Sequence, residues 1–548
     1  MSESTDFDAV VIGAGFGGLR ALHDLRQMGL SAVVIDAGTD VGGTWYWNRY
    51  PGARTDSEAW YYCYSFSKEP LAEWNWSQRY PTQAEMLQYF RFVADRLELR
   101  KDIRFQTRLT SAVWDESANV WVTQTDHGET LRCRYLISAA GALSKPYLPD
   151  FPGLDAFAGE WYQTGFWPKH GIDFTGKRVA VVGTGASGVQ VVPVVALSAA
   201  HVTVFQRTPN YVLPARNRPL DEAEQQAIRT DYDNIWDRAR RQFYAMDLPM
   251  CVNGAADFSP EDQQRELERA WEIGGFRLLF NTFNDVWLDG TANEIASEFI
   301  RSKIRAIVKD PATAELLCPK YPLAAKRPPC GHGYYEAYNR DNVSLVDVSE
   351  NPITEILPTG LRTATEVYEA DIIIFATGFD AITGAAQGID IRGRGDRNLR
   401  DVWEGVPRSY LGLAVDGFPN MLTLAGPMGP SPTARPWWSS RSNSSPPRSN
   451  TWSSTTRLPW KRTPAPSIRG STMSKKYSKA QPWPRPNPPT PGSSARTFPV
   501  SPAASWPISV ARERTSIDSM KKSQPASRAF ALTTSTERTA QPAIAATG

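Results

Sequence analysis

Two glycine-rich loops have the residue types and spacing that hold the pyrophosphate of a dinucleotide. The first reads Gly-Ala-Gly-Phe-Gly-Gly over 13–18, and the second reads Gly-Thr-Gly-Ala-Ser-Gly over 183–188. Glycine permits the tight turn and lets backbone N–H groups approach the phosphates closely. Two such loops predict two dinucleotides bound side by side, as in an oxidoreductase that brings a nicotinamide up to a flavin. An ordinary tight turn is the alternative for either loop alone. The predicted phosphate contacts are Gly13, Gly15 and Gly18 in the first loop, and Gly183, Gly185, Ser187 and Gly188 in the second.

Each loop requires a strand before it and a helix after it. The apolar runs 8–12 and 178–182 predict buried strands that end at the loops, and 19–28 predicts the first helix. Further strands are predicted at 31–35 and 201–205. These elements would aim the positive end of each helix at a pyrophosphate.

The residues after the second strand of each unit indicate which dinucleotide binds. Asp36 lies about 20 residues after the first loop, where a carboxylate accepts a ribose hydroxyl. The equivalent strand of the second unit ends in Gln206, Arg207 and Thr208, without an acid. Because arginine suits a 2′-phosphate, we predict FAD at the first loop and NADPH at the second.

Composition sets the broad class. The 548 residues leave room for two or three domains, and the net charge is only +2. Five cysteines form no close pair, which argues against a redox dithiol or a zinc cluster. The chain runs directly into a strand, and no apolar run reaches about 18 residues, so neither a signal peptide nor a membrane span is predicted. We expect a cytoplasmic monomer or weak oligomer that binds no metal, nucleic acid or membrane.

Aromatic and basic residues are dense at 42–54, just after the predicted ribose-binding acid. This position favours contact with the flavin, and Thr44 and Trp45 are the candidates; an aromatic core segment is the alternative. The apolar runs 136–141 and 372–378 predict strands ending in small residues, which let the backbone approach a cofactor. We interpret the second run as the return of the chain to the FAD domain.

Residues 157–168 read Phe-Ala-Gly-Glu-Trp-Tyr-Gln-Thr-Gly-Phe-Trp-Pro. This stretch resembles the signature of Baeyer–Villiger monooxygenases, which runs Phe-x-Gly, three residues, His, three residues, Trp-Pro, just before the second loop. The likeness is strongest to the cyclohexanone monooxygenase branch and covers about 5–430. The matching signature residues are Phe157, Gly159, Trp167 and Pro168, and further family motifs match at 45–54, 325–328, 333–336, 338–343 and 376–380.

One signature position departs from the family, because Gln163 stands where the family has histidine. The resemblance implies that this side chain helps the domains communicate rather than performing bond chemistry. Glutamine keeps hydrogen-bond donors and an acceptor but carries no charge near neutral pH. We therefore expect Gln163 to affect catalytic efficiency more than reaction class.

The resemblance implies NADPH- and O₂-dependent oxidation of cyclic or related ketones to lactones or esters, through a C4a-peroxyflavin. Arg327 matches the family's cation, which stabilises negative charge on oxygen in a dry site. Asp56 matches the carboxylate that orients this cation, and Lys326 matches a second contact to the NADP 2′-phosphate beside Arg207. From the residues alone, Arg327 and Asp56 could form an ordinary ion pair, and Lys326 could be a solvated side chain.

We predict an α/β protein with two Rossmann-like dinucleotide-binding domains, FAD and NADP, and a helical insertion. The helical patterns 260–273 and 293–308 lie in that insertion. The predicted segments are 1–145 (FAD domain, first part), 146–210 (NADP domain, first part), 211–325 (helical insertion), 326–370 (NADP domain, second part), 371–430 (FAD domain, second part) and 431–548 (an atypical basic tail rich in Pro and Ser).

The composition changes abruptly at about Ser431. Residues 431–548 hold 18 prolines and 18 Lys and Arg, but three acidic residues and ten Ile, Leu, Val or Phe. With so few aliphatic residues, this segment cannot bury enough apolar surface to offset the conformational entropy lost on folding. We therefore expect an irregular or disordered segment. The family's C-terminal region is folded, and we interpret this tail as a shifted reading frame. Codons exist for 436–445 that read Leu-Val-Val-Ile-Glu-Ile-Glu-Gln-Gln in another frame. A disordered basic arm is the alternative.

Two other functions remain open from the sequence. A related flavin monooxygenase could oxygenate nitrogen or sulfur. Alternatively, the chain could be a nucleotide-binding remnant with impaired turnover, because Gln163 and the tail depart from the family.

Overall fold

The structure is a computed structural model that describes residues 5–242 and 245–427. The expectations for 431–548 lie outside these residues. The strands of the described part are, in chain order, β1 (Phe7–Ile12), β2 (Ala32–Ile35), β3 (Ile103–Arg104), β4 (Leu109–Asp115), β5 (Val120–Thr125), β6 (Thr130–Ser138), β7 (Glu160–Gln163), β8 (Arg178–Val182), β9 (His201–Gln206), β10 (Leu213–Pro214), β11 (Cys330–Gly331), β12 (Val343–Asp347), β13 (Ile353–Leu357), β14 (Gly360–Thr363), β15 (Val367–Glu369), β16 (Ile372–Phe375), β17 (Asp390–Arg392) and β18 (Met421–Thr423).

The α-helices of the same residues fall mainly behind the two glycine loops and between β10 and β11. They are α1 (Phe16–Gln27), α2 (Thr44–Trp47), α3 (Lys68–Glu73), α4 (Gln83–Arg96), α5 (Ala186–Val195), α6 (Glu222–Arg240), α7 (Pro260–Ile273), α8 (Arg277–Phe280), α9 (Gly290–Ile307), α10 (Pro311–Leu317), α11 (Tyr334–Ala337), α12 (Gly384–Gln387) and α13 (Leu399–Val402).

The first sheet carries the first glycine loop. Its strand order is β17-β4-β5-β6-β1-β2-β3, with β18 beside β6. Strand β1 lies at its centre, parallel to both β2 and β6. Ala9 and Val11 of β1 belong to one hydrophobic cluster, while Val10 and Ile12 belong to another. Because successive side chains point to opposite faces, the last four residues of β1 are buried on both sides of the sheet, which explains their apolar sequence Ala-Val-Val-Ile.

The second sheet carries the second glycine loop and is wholly parallel, in the order β12-β9-β8-β16-β7. Strand β8 repeats the pattern of β1, with Val179 and Val181 in one cluster and Ala180 and Val182 in another. Helices pack such sheets on both faces, so the predicted α/β class with parallel sheets is confirmed.

The interpretation of 372–378 as the return to the FAD domain is wrong. Strand β16 pairs with β8 and β7, in the middle of the second sheet. The chain returns to the first sheet only with β17, which pairs with β4, and β18, which pairs with β6. An apolar strand indicates a buried position in a parallel sheet but carries no information about which sheet it joins.

Helices α7 and α9 fall where the sequence pattern places them, and their caps explain their starts. The Ser259 hydroxyl accepts the Asp262 N–H at the start of α7, and Pro260 occupies the first turn, where its missing N–H is harmless. Helix α9 begins earlier than predicted, at Gly290, because Asp289 accepts the N–H groups of Thr291 and Ala292. Among the described helices, none is long and apolar enough to cross a membrane.

Candidate active site

The first glycine loop is a close-packed turn between β1 and α1. Gly13 has φ +99°, and a Cβ there would lie 2.7 Å from the Ala139 carbonyl oxygen. A Cβ on Gly18 would lie 1.7 Å from the Gly13 oxygen, and Gly15 is the N-cap of α1. Only glycine fits at positions 13 and 18, and the turn presents the N-terminus of α1, the end that favours a phosphate. The loop therefore fits a dinucleotide.

Asp36 lies directly after β2 and is tied to the loop. Its Oδ2 accepts the Ala14 N–H at 2.6 Å, and its Oδ1 accepts the Gly38 N–H at 2.7 Å. Burial raises the pKa of Asp36 above its ordinary value, although both amides favour the anion. Each carboxylate oxygen can accept a further hydrogen bond. Ribose binding by Asp36 stays a prediction that this geometry accommodates.

The second loop repeats the same construction between β8 and α5. Gly183 has φ +109°, with its Cβ position 2.6 Å from the Ala376 oxygen, and a Cβ on Gly188 would lie 2.1 Å from the Gly183 oxygen. Gly185 is the N-cap of α5, and a Cβ there would meet no atom within 4 Å. Ser187 lies in the first turn of that helix. The space over Gly185 is where a pyrophosphate would approach the helix start.

The segment 42–54 contacts both loops. The Gly42 N–H donates to the Ala14 oxygen at 3.0 Å, and a Cβ on Gly43 would lie 2.9 Å from the Gly15 Cα, so this end packs on the first loop. Thr44 is exposed in α2, while Trp45 is buried with its ring 5.6 Å from that of Tyr62. The predicted proximity of this stretch to the first cofactor site is consistent with the geometry.

The other end of 42–54 packs on the helix of the second loop, through Gln190 of α5. The Tyr50 hydroxyl donates to Gln190 Oε1 at 2.9 Å, and Gln190 Nε2 donates to the Arg54 oxygen at 3.0 Å. A Cβ on Gly52, which has φ +84°, would lie 2.3 Å from the Gln190 oxygen. Tyr50 and Gln190 were not predicted as functional. The contact joins residues far apart in the chain, and no local pattern marks it.

Basic residues gather beyond the end of β9. Arg207 follows that strand, and the Thr208 oxygen accepts the Thr184 hydroxyl at 2.9 Å, which fixes the turn to the second loop. Lys326 lies with its Nζ 5.2 Å from the centre of the Tyr321 ring. Burial, and then the charge of Arg207, lower the pKa of Lys326. Two cations close enough to repel each other suit a shared anion such as a 2′-phosphate.

Asp56 and Arg327 form an ion pair across two distant segments. Arg327 Nη2 lies 3.2 Å from Asp56 Oδ2, and the Arg327 guanidinium stands 5.7 Å from the centre of the Phe276 ring. The Asp56 side chain is 9% exposed and that of Arg327 is 62% exposed. Burial raises the pKa of Asp56, while the Arg327 charge and the Cys330 N–H oppose that shift. The predicted ion pair is present, and the Arg327 side chain is accessible to solvent.

Two buried polar atoms beside this pair have no hydrogen-bond partner within the described residues. They are Asp56 Oδ1 and Thr55 Oγ1. A buried acceptor without a partner is rare in a folded protein and indicates a ligand or water in the complete site. Together with the glycine turns, these atoms fit a site that closes around a cofactor and a substrate.

Gln163 joins two strand ends of the second sheet. It ends β7, is buried, and its Nε2 donates to the Gly378 oxygen at 3.2 Å, while its Oε1 accepts the Gly165 N–H. Glutamine therefore satisfies a donor and an acceptor without charge. The rest of the signature surrounds β7. Phe157 is buried, a Cβ on Gly159 would lie 2.4 Å from the Asp371 oxygen, Trp167 packs 5.4 Å from the Tyr162 ring, and Pro168 follows at partial exposure.

Comparisons with known proteins show which family this chain resembles. A family model described as pyridine nucleotide-disulphide oxidoreductase matches residues 10–234. A Baeyer–Villiger monooxygenase of Pseudooceanicola batsensis is 48% identical over 428 residues, which are 78% of this chain and 78% of the relative. A phenazine N-monooxygenase of Lysobacter antibioticus is 46% identical over 429 residues, 78% of this chain and 79% of the relative.

A solved structure shares the fold. The crystal structure of OTEMO in complex with FAD and NADP has a TM-score of 0.77 and 42% sequence identity, and the match covers 79% of this chain and 82% of that one. The predicted pairing of FAD with NADP is thereby confirmed.

The open space over Gly185 generates a prediction. Gly185→Val should leave the melting temperature close to that of the unmodified protein, because a Cβ there meets no protein atom. It should raise the KM for NADPH by at least about tenfold, because the added methyls occupy the approach of the pyrophosphate. Steady-state kinetics and thermal unfolding measure the two effects. Gly188→Ala, whose Cβ would strike Gly183, is the contrasting variant and should lower the melting temperature. A Gly185→Val protein with unchanged KM would contradict the phosphate assignment.

The two cations generate a second prediction. Arg207→Ala and Lys326→Ala should each raise the KM for NADPH about ten- to hundredfold and leave the KM for NADH nearly unchanged. A charge-assisted hydrogen bond to a phosphate contributes about 1.5–3 kcal/mol. Lys320→Ala, at an exposed lysine nearby, is the control and should retain the preference for NADPH. Unchanged coenzyme selectivity in both variants would rule out the assignment.

Proposed function

The chain belongs to the Baeyer–Villiger monooxygenase family, and from this we propose that it oxidises cyclic or related ketones to lactones or esters, with NADPH and O₂ as co-substrates. FAD and NADPH are its cofactors. The observation that carries the proposal is the segment 42–54, which contacts both dinucleotide loops and runs directly into Asp56. A nicotinamide, a flavin and a fixed cation would thus share one site.

Bound FAD, once reduced by NADPH, supplies the activation of O₂. Arg327 would offer guanidinium N–H groups to the negative charge that develops on the ketone oxygen. Arginine suits this task because it stays charged when partly buried and has no proton to lose near neutral pH. A preorganised cation stabilises such charge strongly when bound cofactors and substrate exclude water from it.

Asp56 would hold Arg327 in position. A charge-assisted bond to a carboxylate is short and directional, and it fixes the plane of the guanidinium. Burial raises the pKa of Asp56, and both Arg327 and the Cys330 N–H favour its charged form against that effect. Asp56 is therefore proposed as a positioning residue and Arg327 as the catalytic cation.

Gln163 would couple the NADP sheet to the site through Gly378. The hydrogen bond from Gln163 Nε2 to the Gly378 oxygen connects β7 to the residues that follow β16, and the bond from the Gly165 N–H to Oε1 fixes the side chain locally. Because glutamine is neutral at all relevant pH values, this connection should not change between pH 6 and 8.

The domain division is also proposed, with one boundary moved. The FAD domain comprises 1–145 and the part of 371–430 from about Gly378 onward. The NADP domain comprises 146–210, 326–370 and β16, and 211–325 forms the helical insertion. The first and second sheets support this division, because β17 and β18 join the first sheet and β16 joins the second.

Oxygenation of nitrogen is the second candidate function, since one relative at 46% identity is named a phenazine N-monooxygenase. Product analysis with cyclohexanone and with phenazine separates the two. Ester from the ketone supports the first proposal, and N-oxide alone supports the second. NADPH oxidation without either product would indicate the nucleotide-binding remnant.

We further propose a cytoplasmic location. All five cysteines are free thiols, and four of them are buried. Burial raises the pKa of Cys63 to about 12 and that of Cys133 to about 12, which keeps both thiols protonated and unreactive.

The role of Arg327 is testable by substitution. Arg327→Ala should reduce ester formation by about 10²–10³-fold, as removal of a charge-stabilising donor does, while FAD content stays unchanged. Gas chromatography of the product and the flavin absorbance of the purified protein measure these effects. Arg265→Ala, at an exposed arginine of α7 paired with Asp262, is the control. Ester formation at an undiminished rate in Arg327→Ala would overturn the assignment.

A further inference from the structure

A cavity lined largely by charged residues lies outside the dinucleotide loops. Its volume is about 370 Å³, and its walls include four arginines, Arg79, Arg216, Arg218 and Arg277, with Trp60 and Ile273 as apolar surfaces. None of these residues belongs to the predicted cofactor or catalytic set. Four guanidinium groups around one cavity are an unusual concentration of fixed positive charge.

Two of the arginines are anchored on one buried carboxylate. Glu58 accepts hydrogen bonds from Arg79 Nη2 at 3.0 Å and from Arg277 Nη1 at 2.7 Å, and its side chain is 1% exposed. Burial opposes ionisation of Glu58, but the charges of Arg277 and Arg79 keep its pKa below the ordinary value. One anion is thus shared by two cations, and this part of the wall retains excess positive charge.

Arg216 is held towards the cavity in a backbone conformation that non-glycine residues rarely adopt. Its φ is +50°, and a Cβ on Gly274 would lie 2.6 Å from the Arg216 Cγ. Gly274, itself at φ +76°, therefore leaves the space through which the Arg216 stem passes. Unfavourable backbone conformations of this kind persist where the surrounding structure imposes them, and they cluster at binding sites.

The segment that carries Arg216 and Arg218 is fixed to the segment that carries Arg79. The Arg79 N–H donates to the Arg218 oxygen at 2.9 Å, and the Tyr80 N–H donates to Asn217 Oδ1 at 2.9 Å. These bonds hold the arginines of the two segments at a set separation. A preorganised set of cations loses little entropy when an anion binds.

The acidic partner of Arg216 lies towards solvent, whereas that of Arg218 is half-buried. Arg216 Nη2 is 3.2 Å from Glu272 Oε1, and the Glu272 side chain is 67% exposed. Arg218 forms an ion pair of 2.5 Å with Glu224. The exposed pair of Arg216 with Glu272 contributes little, so an incoming dianion can replace Glu272 at Arg216 without a large loss. With Glu58, three carboxylates are paired with the four guanidinium groups, and the pKa of Arg218 is raised by its hydrogen bonds to Glu224 and also by the charge of Asp221.

We propose that this cavity binds the phosphate or pyrophosphate group of a small organic ligand. Arginine forks match phosphate oxygens with paired hydrogen bonds, and Trp60 and Ile273 offer surface to the organic part. The cavity and the Asp56–Arg327 pair involve residues that are neighbours in sequence. Arg277 follows Phe276, whose ring faces Arg327, and Glu58 lies two residues after Asp56. The proposal does not depend on the reaction assigned above.

Titration calorimetry with inorganic pyrophosphate tests the site directly. The full-length, FAD-loaded protein is first saturated with NADP⁺, so that the coenzyme phosphate site is filled. The protein should bind one further pyrophosphate. Arg216→Gln and Arg218→Gln should each weaken that binding about tenfold, and the double variant should abolish it, because each removes a charge-assisted contact. Both side chains are exposed, and an unchanged melting temperature and flavin spectrum establish that the variants are folded.

Arg265→Gln on α7 is the matched control and should bind pyrophosphate as tightly as the unmodified protein. Any of three results would overturn the proposal: no saturable binding after NADP⁺ saturation, equal binding by the double variant, or tighter binding of succinate than of pyrophosphate. The last result would assign the cavity to carboxylates instead of phosphates.

Discussion

The arrangement of the site depends on a single stretch of chain that touches both dinucleotide loops. At one end, Gly42 and Gly43 contact Ala14 and Gly15 of the first loop. At the other end, Tyr50, Gly52 and Arg54 contact Gln190 of α5, the helix behind the second loop. Hydride transfer requires the two reacting rings to meet at close range, and a small displacement is costly. The short span between these contacts limits how far the two loops can separate.

The same stretch continues into the charged part of the site. Asp56 follows Arg54 by two residues and pairs with Arg327 from the far side of the helical insertion. Burial makes the Asp56 carboxylate expensive to ionise and raises its pKa, while Arg327 and the Cys330 N–H favour its charged form. In the proposed site, the carboxylate would orient the guanidinium, and the guanidinium charge opposes the effect of burial on the carboxylate.

The features that follow from local chemistry were predictable from the sequence. Glycine at 13, 18, 183 and 188 is required by a close-packed backbone that tolerates no side chain. Both loops and the strands before them were therefore predicted with bounds close to those in the structure. The pairing of Asp56 with Arg327 followed from the family resemblance. The family is confirmed, and it supports the predicted reaction class, whereas the roles of individual site residues stay predictions.

The features that depend on long-range packing were not predictable. The apolar run of β16 fits the middle of either parallel sheet, and it was placed in the wrong one. The contacts of Gln190 with Tyr50 and Arg54 join residues distant in sequence, and neither residue stands out locally. The arginine-lined cavity could not be predicted either, because its lining residues come from stretches that are distant in sequence, 60–79, 216–218 and 273–277. The unusual φ of Arg216 has no signature in the composition.

Anaerobic reduction of the flavin by NADPH is the most direct test of the claim that 42–54 holds the two cofactors together. In Gly52→Ala, the added methyl would lie 2.3 Å from the Gln190 oxygen. Gly29→Ala is the control, because it imposes a similar backbone cost, at φ +73°, but its methyl would have no atom within 4 Å. Stopped-flow loss of flavin absorbance at saturating NADPH gives the rate. We expect Gly52→Ala to bind FAD normally but to reduce it at least about tenfold more slowly, and Gly29→Ala to match the unmodified protein. Equal reduction rates in all three proteins would contradict the account.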